Sequence, residues 1–168
     1  MDLSLVSLII SVLAILLAFF AVSRGNNAPQ APAADRSSFD SIPLRLQAYE
    51  RLVLLTERIS LPNLISRLNQ PGISAAEMKI ILSENIKQEF EYNSTQQLYV
   101  SPLSWDAVRN LKEQNIMVVN QVAASLPLTA SSGELNKKIL EVMMSQSNGA
   151  LHEMVSQTLN HEAKKLMQ

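Results

Sequence analysis

Ser74-Ala75-Ala76-Glu77-Met78-Lys79-Ile80-Ile81-Leu82-Ser83-Glu84-Asn85-Ile86-Lys87-Gln88-Glu89-Phe90 decides how the body of this 168-residue chain is built. Ser74 and Glu77 have the spacing of a capping box, in which each side chain bonds the other residue's backbone amide and satisfies donors that a helix start leaves open. Met78, Ile81, Leu82, Ile86 and Phe90 follow at helical spacing and form one apolar stripe. A capped start and a stripe of this length predict an amphipathic helix.

The same signals recur on both sides. Ser131 and Glu134 repeat the capping box and open a helix through Ile139, Leu140 and Met143. Between the two boxes, Ser104 reads as the N-cap of a helix carrying Trp105, Val108, Leu111, Val118, Val119 and Val122, with Asp106 favourably placed near its positive end. Pro127 stops that helix from continuing beyond Leu126. Asn148-Gly149 reads as a C-cap and break, and a last helix follows from Ala150 with Leu151, Met154, Val155, Leu159 and Leu166. Toward the N-terminus, Leu46, Tyr49, Val53 and Leu55 or Thr56 mark the inner face of a first helix, leaving Arg51, Glu57 and Arg58 for solvent. Pro62 disfavours helix at Leu61, so that helix ends or kinks there, and a short helix over Asn63 to Leu68 is closed by the Asn69-Gln70-Pro71-Gly72 turn. Tyr92 to Ser101 reads as loop or broken helix, because Leu98-Tyr99-Val100 has no second strand to pair with. The expectation is an all-α body over residues 43–168, a compact bundle of about five to six helices, antiparallel across short loops.

Ahead of this body, Leu3 to Val22 are twenty consecutive positions without a charge, bracketed by Asp2 and Arg24. At about 1.5 Å per residue, a helix of that length matches the roughly 30 Å apolar core of a bilayer. A secretory signal carries a basic start and a shorter apolar core. Here the start holds only Met1 and Asp2; Ala21-Val22-Ser23 has the form of a cleavage site, and Ala18-Phe19-Phe20 does not. The expected organisation is an uncleaved transmembrane anchor over 1–23, a flexible Ala/Pro/Ser-rich linker over 24–42, and a soluble helical domain over 43–168. Arg24, Arg36 and Arg45 follow the span while no Lys or Arg precedes it. The positive-inside rule then puts the N-terminus outside and the C-terminal domain in the cytoplasm, on the cell inner membrane. Within the span Ser4, Ser7, Ser11, Ala14, Ala18 and Ala21 fall on one helical stripe. Small residues let helices approach closely and serine hydroxyls bond across the contact, which suits self-association or docking on another membrane helix. A serine bonded back to its own helix gives the same pattern with no partner.

Composition sets several chemistries aside. From Leu44 to Gln168 twelve Lys/Arg balance twelve Asp/Glu, leaving no basic footprint for nucleic acid. The chain has no cysteine, so disulfides, thiolate metal sites and cysteine nucleophiles are excluded. His152 and His161 are nine residues apart and fall on opposite sides of one straight helix, so they do not share an ion; they read as surface histidines. The four glycines are too scattered for a phosphate loop, and no Gly-x-Ser-x-Gly elbow occurs. Glu89 and Glu91 lie on different helix faces and read as solvated. No catalytic residue, metal or cofactor is expected.

Tyr92, Gln96, Gln97, Tyr99, Trp105 and Arg109, with Asn93 among them, combine rigid aromatics with bonding amides as recognition surfaces do. In the other reading Tyr99 and Trp105 fill the core, which needs them in a chain with only eight aromatics, and the amides cap helix ends.

Two stretches carry a resemblance: Leu44-Arg45-Leu46-Gln47-Ala48-Tyr49-Glu50-Arg51-Leu52 with Glu57-Arg58-Ile59-Ser60, and Glu89-Phe90-Glu91-Tyr92-Asn93 with Gln96-Gln97-Leu98-Tyr99-Val100-Ser101, Trp105, Ala107-Val108 and Lys112-Glu113. Together they resemble an uncharacterised bacterial family of single-span proteins with a cytoplasmic helical domain. The resemblance implies the same anchor-plus-body plan and brings no activity and no catalytic residues with it. Family members carry a more basic segment after the span, from which this neutral linker departs. The functional expectation is a membrane-anchored helical adaptor or scaffold with the lipid bilayer, a protein partner and a second copy of itself as partners, the Met-rich C-terminal helices (Met143, Met144, Met154) adding an adaptable surface. The alternative is a helical body at the membrane that binds a small ligand or lipid, with or without catalysis.

Overall fold

The computed structural model describes residues 41–145 and 148–168. The expected anchor, its stripe from Ser4 to Ala21, and the expected linker up to residue 40 lie outside the described residues. Six α-helices follow one another: α1 (Ile42–Ile59), α2 (Leu61–Leu68), α3 (Ala75–Tyr92), α4 (Pro102–Ala124), α5 (Ser132–Ser145) and α6 (Asn148–Lys165), with a 3₁₀ turn (Ser94–Leu98) between α3 and α4. No helix among the described residues is long and apolar enough to cross a membrane.

The opening stretch behaves as its pattern requires. Ser74 Oγ accepts from the Glu77 amide at 3.2 Å while the Ser74 amide donates to Glu77 Oε2 at 2.9 Å. Met78, Leu82 and Ile86 are completely buried, with Ile81 and Phe90 at the edge of the stripe. That face lets α3 pack against α1, α2, α4 and α5 at once. The second box is also formed, with the Ser131 amide 2.8 Å from Glu134 Oε2 and the Glu134 amide 3.3 Å from Ser131 Oγ. A short antiparallel bridge between Ser74 and Ser131 joins the two capped starts. The Ala75 amide donates to the Ala130 carbonyl at 2.9 Å and the Ser132 amide to the Ile73 carbonyl at 3.0 Å. Gly72, in the turn before the first box, holds a φ of 89°, where an L side chain is strained.

Three helix boundaries differ from the sequence reading. The N-cap of α4 is Ser101, three residues ahead of Ser104: Ser101 Oγ accepts from the Ser104 amide at 3.2 Å, and Pro102 takes the first helical position, where its missing N–H costs nothing. Ser104 is instead fully buried, at the head of a stripe that continues through Val108, Leu111, Asn115, Val118 and Val122. The short second helix begins at Leu61, because Pro62 is accepted in a first turn; the break falls at Ser60, whose ψ of 130° is extended. Asn148 and Gly149 open α6 and do not close α5.

Helix α6 runs against α1. His152 sits beside Glu57 near one end, and Ala163 and Met167 line a groove with Leu46 at the other. Val155 and Leu159 of α6 are buried against the common core, which also holds Leu52, Leu55, Ile59, Leu64, Leu135 and Ile139.

Two polar features hold elements together inside this packing. Asn115, 4% exposed, donates from Nδ2 to the Ile59 carbonyl at 2.8 Å, filling an acceptor that the end of α1 leaves open. Glu89 receives Arg58 through two nitrogens and Arg67 at 3.2 Å, while Arg67 also donates to the Arg58 carbonyl and to Asn85 Oδ1. Far from being solvated, Glu89 therefore ties α1 and α2 to α3. Its carboxyl lies below the ordinary value of 4.5, chiefly because Arg58 donates to it, with burial opposing and Arg67 assisting. A carboxylate with a lowered folded-state pKa stabilises above its unfolded pKa, and that stability is lost as pH falls through the folded value. Arg58 is more than half exposed, so solvent screening limits the contribution to roughly 1 kcal/mol. Glu89→Gln is expected to unfold earlier in urea than the parent at neutral pH and to converge with it on acidification below the usual carboxylate range. An equal gap at both pH values would contradict this account.

Candidate interaction surface

The segment from Tyr92 to Arg109 leaves the end of α3, turns through the 3₁₀ stretch and enters α4. Its geometry is fixed from the inside by Tyr49 of α1. The Tyr49 ring is 2% exposed and its hydroxyl accepts from the Ser101 amide at 3.1 Å. Ser101 then caps α4, its hydroxyl also donating to Ser104 Oγ at 3.0 Å, and Glu162 of α6 stands beside it. The Glu162 carboxyl is held below its ordinary value first by Lys165, 2.7 Å away, and next by Ser101. From the same face of α1, Arg45 Nε donates to the Tyr99 carbonyl at 3.3 Å. One end of the body thus gathers the start of α1, the turn before α4 and the end of α6.

The structure divides the residues singled out in the sequence. Gln96 is 7% exposed and Asn93 is 9% exposed, with Asn93 Nδ2 donating to the Glu89 carbonyl at 2.9 Å as α3 ends. Trp105 is half-buried against Phe90, ring centroids 4.9 Å apart, and Lys112 lies 4.6 Å over the Phe90 ring. These three do the packing and capping work of the second reading. Tyr92, at 83% exposure, Gln97 and Tyr99 face outward, and Arg109 is exposed with its guanidinium 2.7 Å from Asp106.

The aromatic-and-amide pattern did not mark the apolar side chains that lie beside this segment. Leu98 is 75% exposed, Leu103 64%, Met167 63% and Ile42 41%. Leu103 immediately precedes the buried Ser104 and so falls off the buried stripe of α4.

A groove of about 480 Å³ lies between α1 and α6, lined by Leu46, Val53, Leu54, Ala163 and Met167, with Glu50 and Asn160 as its polar rim. Neither histidine assembles a metal site: His152 is partly buried with Nε2 3.4 Å from Glu57 Oε1, and His161 is exposed. Among the described residues, no three His, Cys, Asp or Glu side chains come together to hold an ion.

Nothing among the curated proteins or the solved structures matches the chain. The DUF7935 family, a family of unknown function, has a sequence model that matches residues 1–166, and the chain belongs to this family.

Proposed function

We propose that the chain is a membrane-anchored helical adaptor: a single apolar span holds it in a bacterial inner membrane, and the helical body on the cytoplasmic side binds another protein. The observation that carries this reading is the uncharged run from Leu3 to Val22, which lies within the same family match as the helical body. Twenty uncharged, mostly apolar residues bounded by charges suit a span better than a core helix. The positive charge after the run, Arg24, favours the orientation. On the body, the outward-facing Tyr92, Gln97 and Arg109 are residue types that anchor protein contacts. The stripe from Ser4 to Ala21 supplies a second contact surface within the bilayer, between copies.

In-cell crosslinking with mass spectrometry tests this on three chains: the intact one, one lacking Met1 to Ser23, and one with Ser7, Ser11, Ala14 and Ala18 replaced by leucine. The intact chain is expected to capture a defined protein partner from the membrane fraction. The truncated chain loses both the membrane fraction and that partner, and the leucine variant keeps the partner but loses links between copies. If the intact chain captures no partner, the adaptor reading falls.

The groove between α1 and α6 favours a second reading, a body that takes up an apolar small molecule or lipid tail. Leu54→Glu and Met167→Glu at its rim separate the two. They abolish ligand uptake in that case and leave the protein partner in place if the chain is an adaptor.

A further inference from the structure

We propose that the end of the helical body formed by the start of α1, the turn before α4 and the end of α6 is a bilayer-docking face, seated on the membrane by Ile42, Leu98, Tyr99, Leu103 and Met167. The inference rests on the membrane-anchored reading above and deepens it.

One hydrogen bond and two shared depressions bring these side chains to one region of the body. The Arg45–Tyr99 bond brings Leu98 and Tyr99 to the first turn of α1. Leu46 shares a groove with Met167, and Leu103 shares a depression with Glu162 and Lys165. Four of the five apolar residues are large aliphatic or thioether side chains left in water, where each buried methylene is worth about 0.8 kcal/mol. Tyr99 adds a ring with a polar tip, the type enriched at membrane interfaces. Arg45 lies at Tyr99, Glu50 lines the groove with Met167, and Glu162 and Lys165 line the depression with Leu103, so positive and negative charge balance there and do not oppose a lipid surface.

Chain connectivity favours lipid over other occupants. The chain enters the body at Ser41, the residue before Ile42, and only eighteen residues separate Ser41 from Val22 at the end of the uncharged run. Whatever their conformation, eighteen residues reach at most about 65 Å. On the membrane-anchored reading Ser41 stays within that reach of the bilayer, which corresponds to an effective concentration in the millimolar range. A handful of exposed apolar side chains, too weak to hold a free protein on lipid, suffices under that restraint.

The absence of cysteine allows single-site labelling of the full chain. Leu98→Cys places a polarity-sensitive fluorophore on the proposed face. Leu128→Cys, in the loop after α4 and fully exposed, places it about 34 Å away along α4 as a control. Each chain is reconstituted into phosphatidylcholine vesicles, with and without phosphatidylglycerol, and quenched by spin labels carried on the lipid.

The expected result is blue-shifted emission at position 98 and lipid quenching at least about twofold greater than at 128. Leu103→Glu and Met167→Glu, both exposed and tolerable to the fold, should return position 98 to the behaviour of 128. A chain that floats with the vesicles but shows equal quenching at both positions overturns the docking face and leaves the anchor standing. A chain that does not float overturns the anchored reading and this one together. Shielding at position 98 that lipid spin labels do not quench assigns the face to a protein occupant and overturns the lipid assignment.

Discussion

Leu82→Ala is expected to destabilise the helical body by about 3–4 kcal/mol, within the range found when a large aliphatic side chain is deleted from a rigid core. Leu82 has no exposed surface and lies midway along α3, the helix that touches α1, α2, α4 and α5. Four neighbours cannot all relax into one small void, so the cavity persists and the lost contacts add to the lost transfer energy. Against a typical total of roughly 5–15 kcal/mol, that is a large fraction of the stability. The single tryptophan reports on it: Trp105 lies against Phe90, eight residues further along the same helix, and its emission should shift as the core opens. In urea the midpoint should fall by about 2 M, with little change in slope. Leu54→Ala is the control, since Leu54 is 62% exposed, and its cost should stay near 0.5 kcal/mol. Equal midpoints for the two variants would show that α3 is not the centre of the core.

What the sequence made legible was local. Both capping boxes were readable because all their bonds lie within four residues, and each has formed. The stripes of α3 and α4 were readable because helical period alone decides which side chains share a face. Long-range contacts were the part that escaped. Glu89 reads as one more solvated glutamate until Arg58 and Arg67, thirty-one and twenty-two residues earlier, are folded against it. The joining of Ser74 to Ser131 follows from no motif, because each serine had a complete local role as a cap. The choice of Ser104 over Ser101 as N-cap was a local error with a local remedy. Pro102 is a first-turn residue, and it pointed to the serine before it.

The proposed surface shows the same division. An aromatic or an amide in a loop serves packing as readily as recognition, and composition does not separate the two. Gln96, Asn93 and Trp105 went inward because α3 ends there and its last carbonyls and the edge of the core need partners. Leu98 and Leu103 stayed outside because the buried faces of the turn and of α4 were already taken by Gln96, Ser104 and Val108.

Asn115→Leu carries the second large effect, a loss of about 2 kcal/mol despite a near match in volume and a gain in apolar character. Leucine is the better helix former and fits an apolar stripe between Leu111 and Val118, so propensity and hydrophobicity both favour the change. The opposing factor is the Ile59 carbonyl, which accepts from Asn115 Nδ2 where α1 ends and the chain breaks at Ser60. Removing the donor leaves the carbonyl of Ile59, a residue with no exposed surface, without that partner. An unmet buried carbonyl costs about 1–3 kcal/mol, more than the substitution gains. Asn110→Leu, on the exposed face of the same helix, separates the terms, because it brings the same propensity gain with no orphaned acceptor. It should shift the urea midpoint little. Hydrogen exchange gives the site of the damage: the Leu64 amide, bonded to the Ser60 carbonyl at 2.8 Å, should lose protection in Asn115→Leu before the amides of α5 do. If Asn115→Leu is instead as stable as the parent with Leu64 still protected, the junction of α1 and α2 is held by apolar packing alone. The amide at position 115 would then be dispensable.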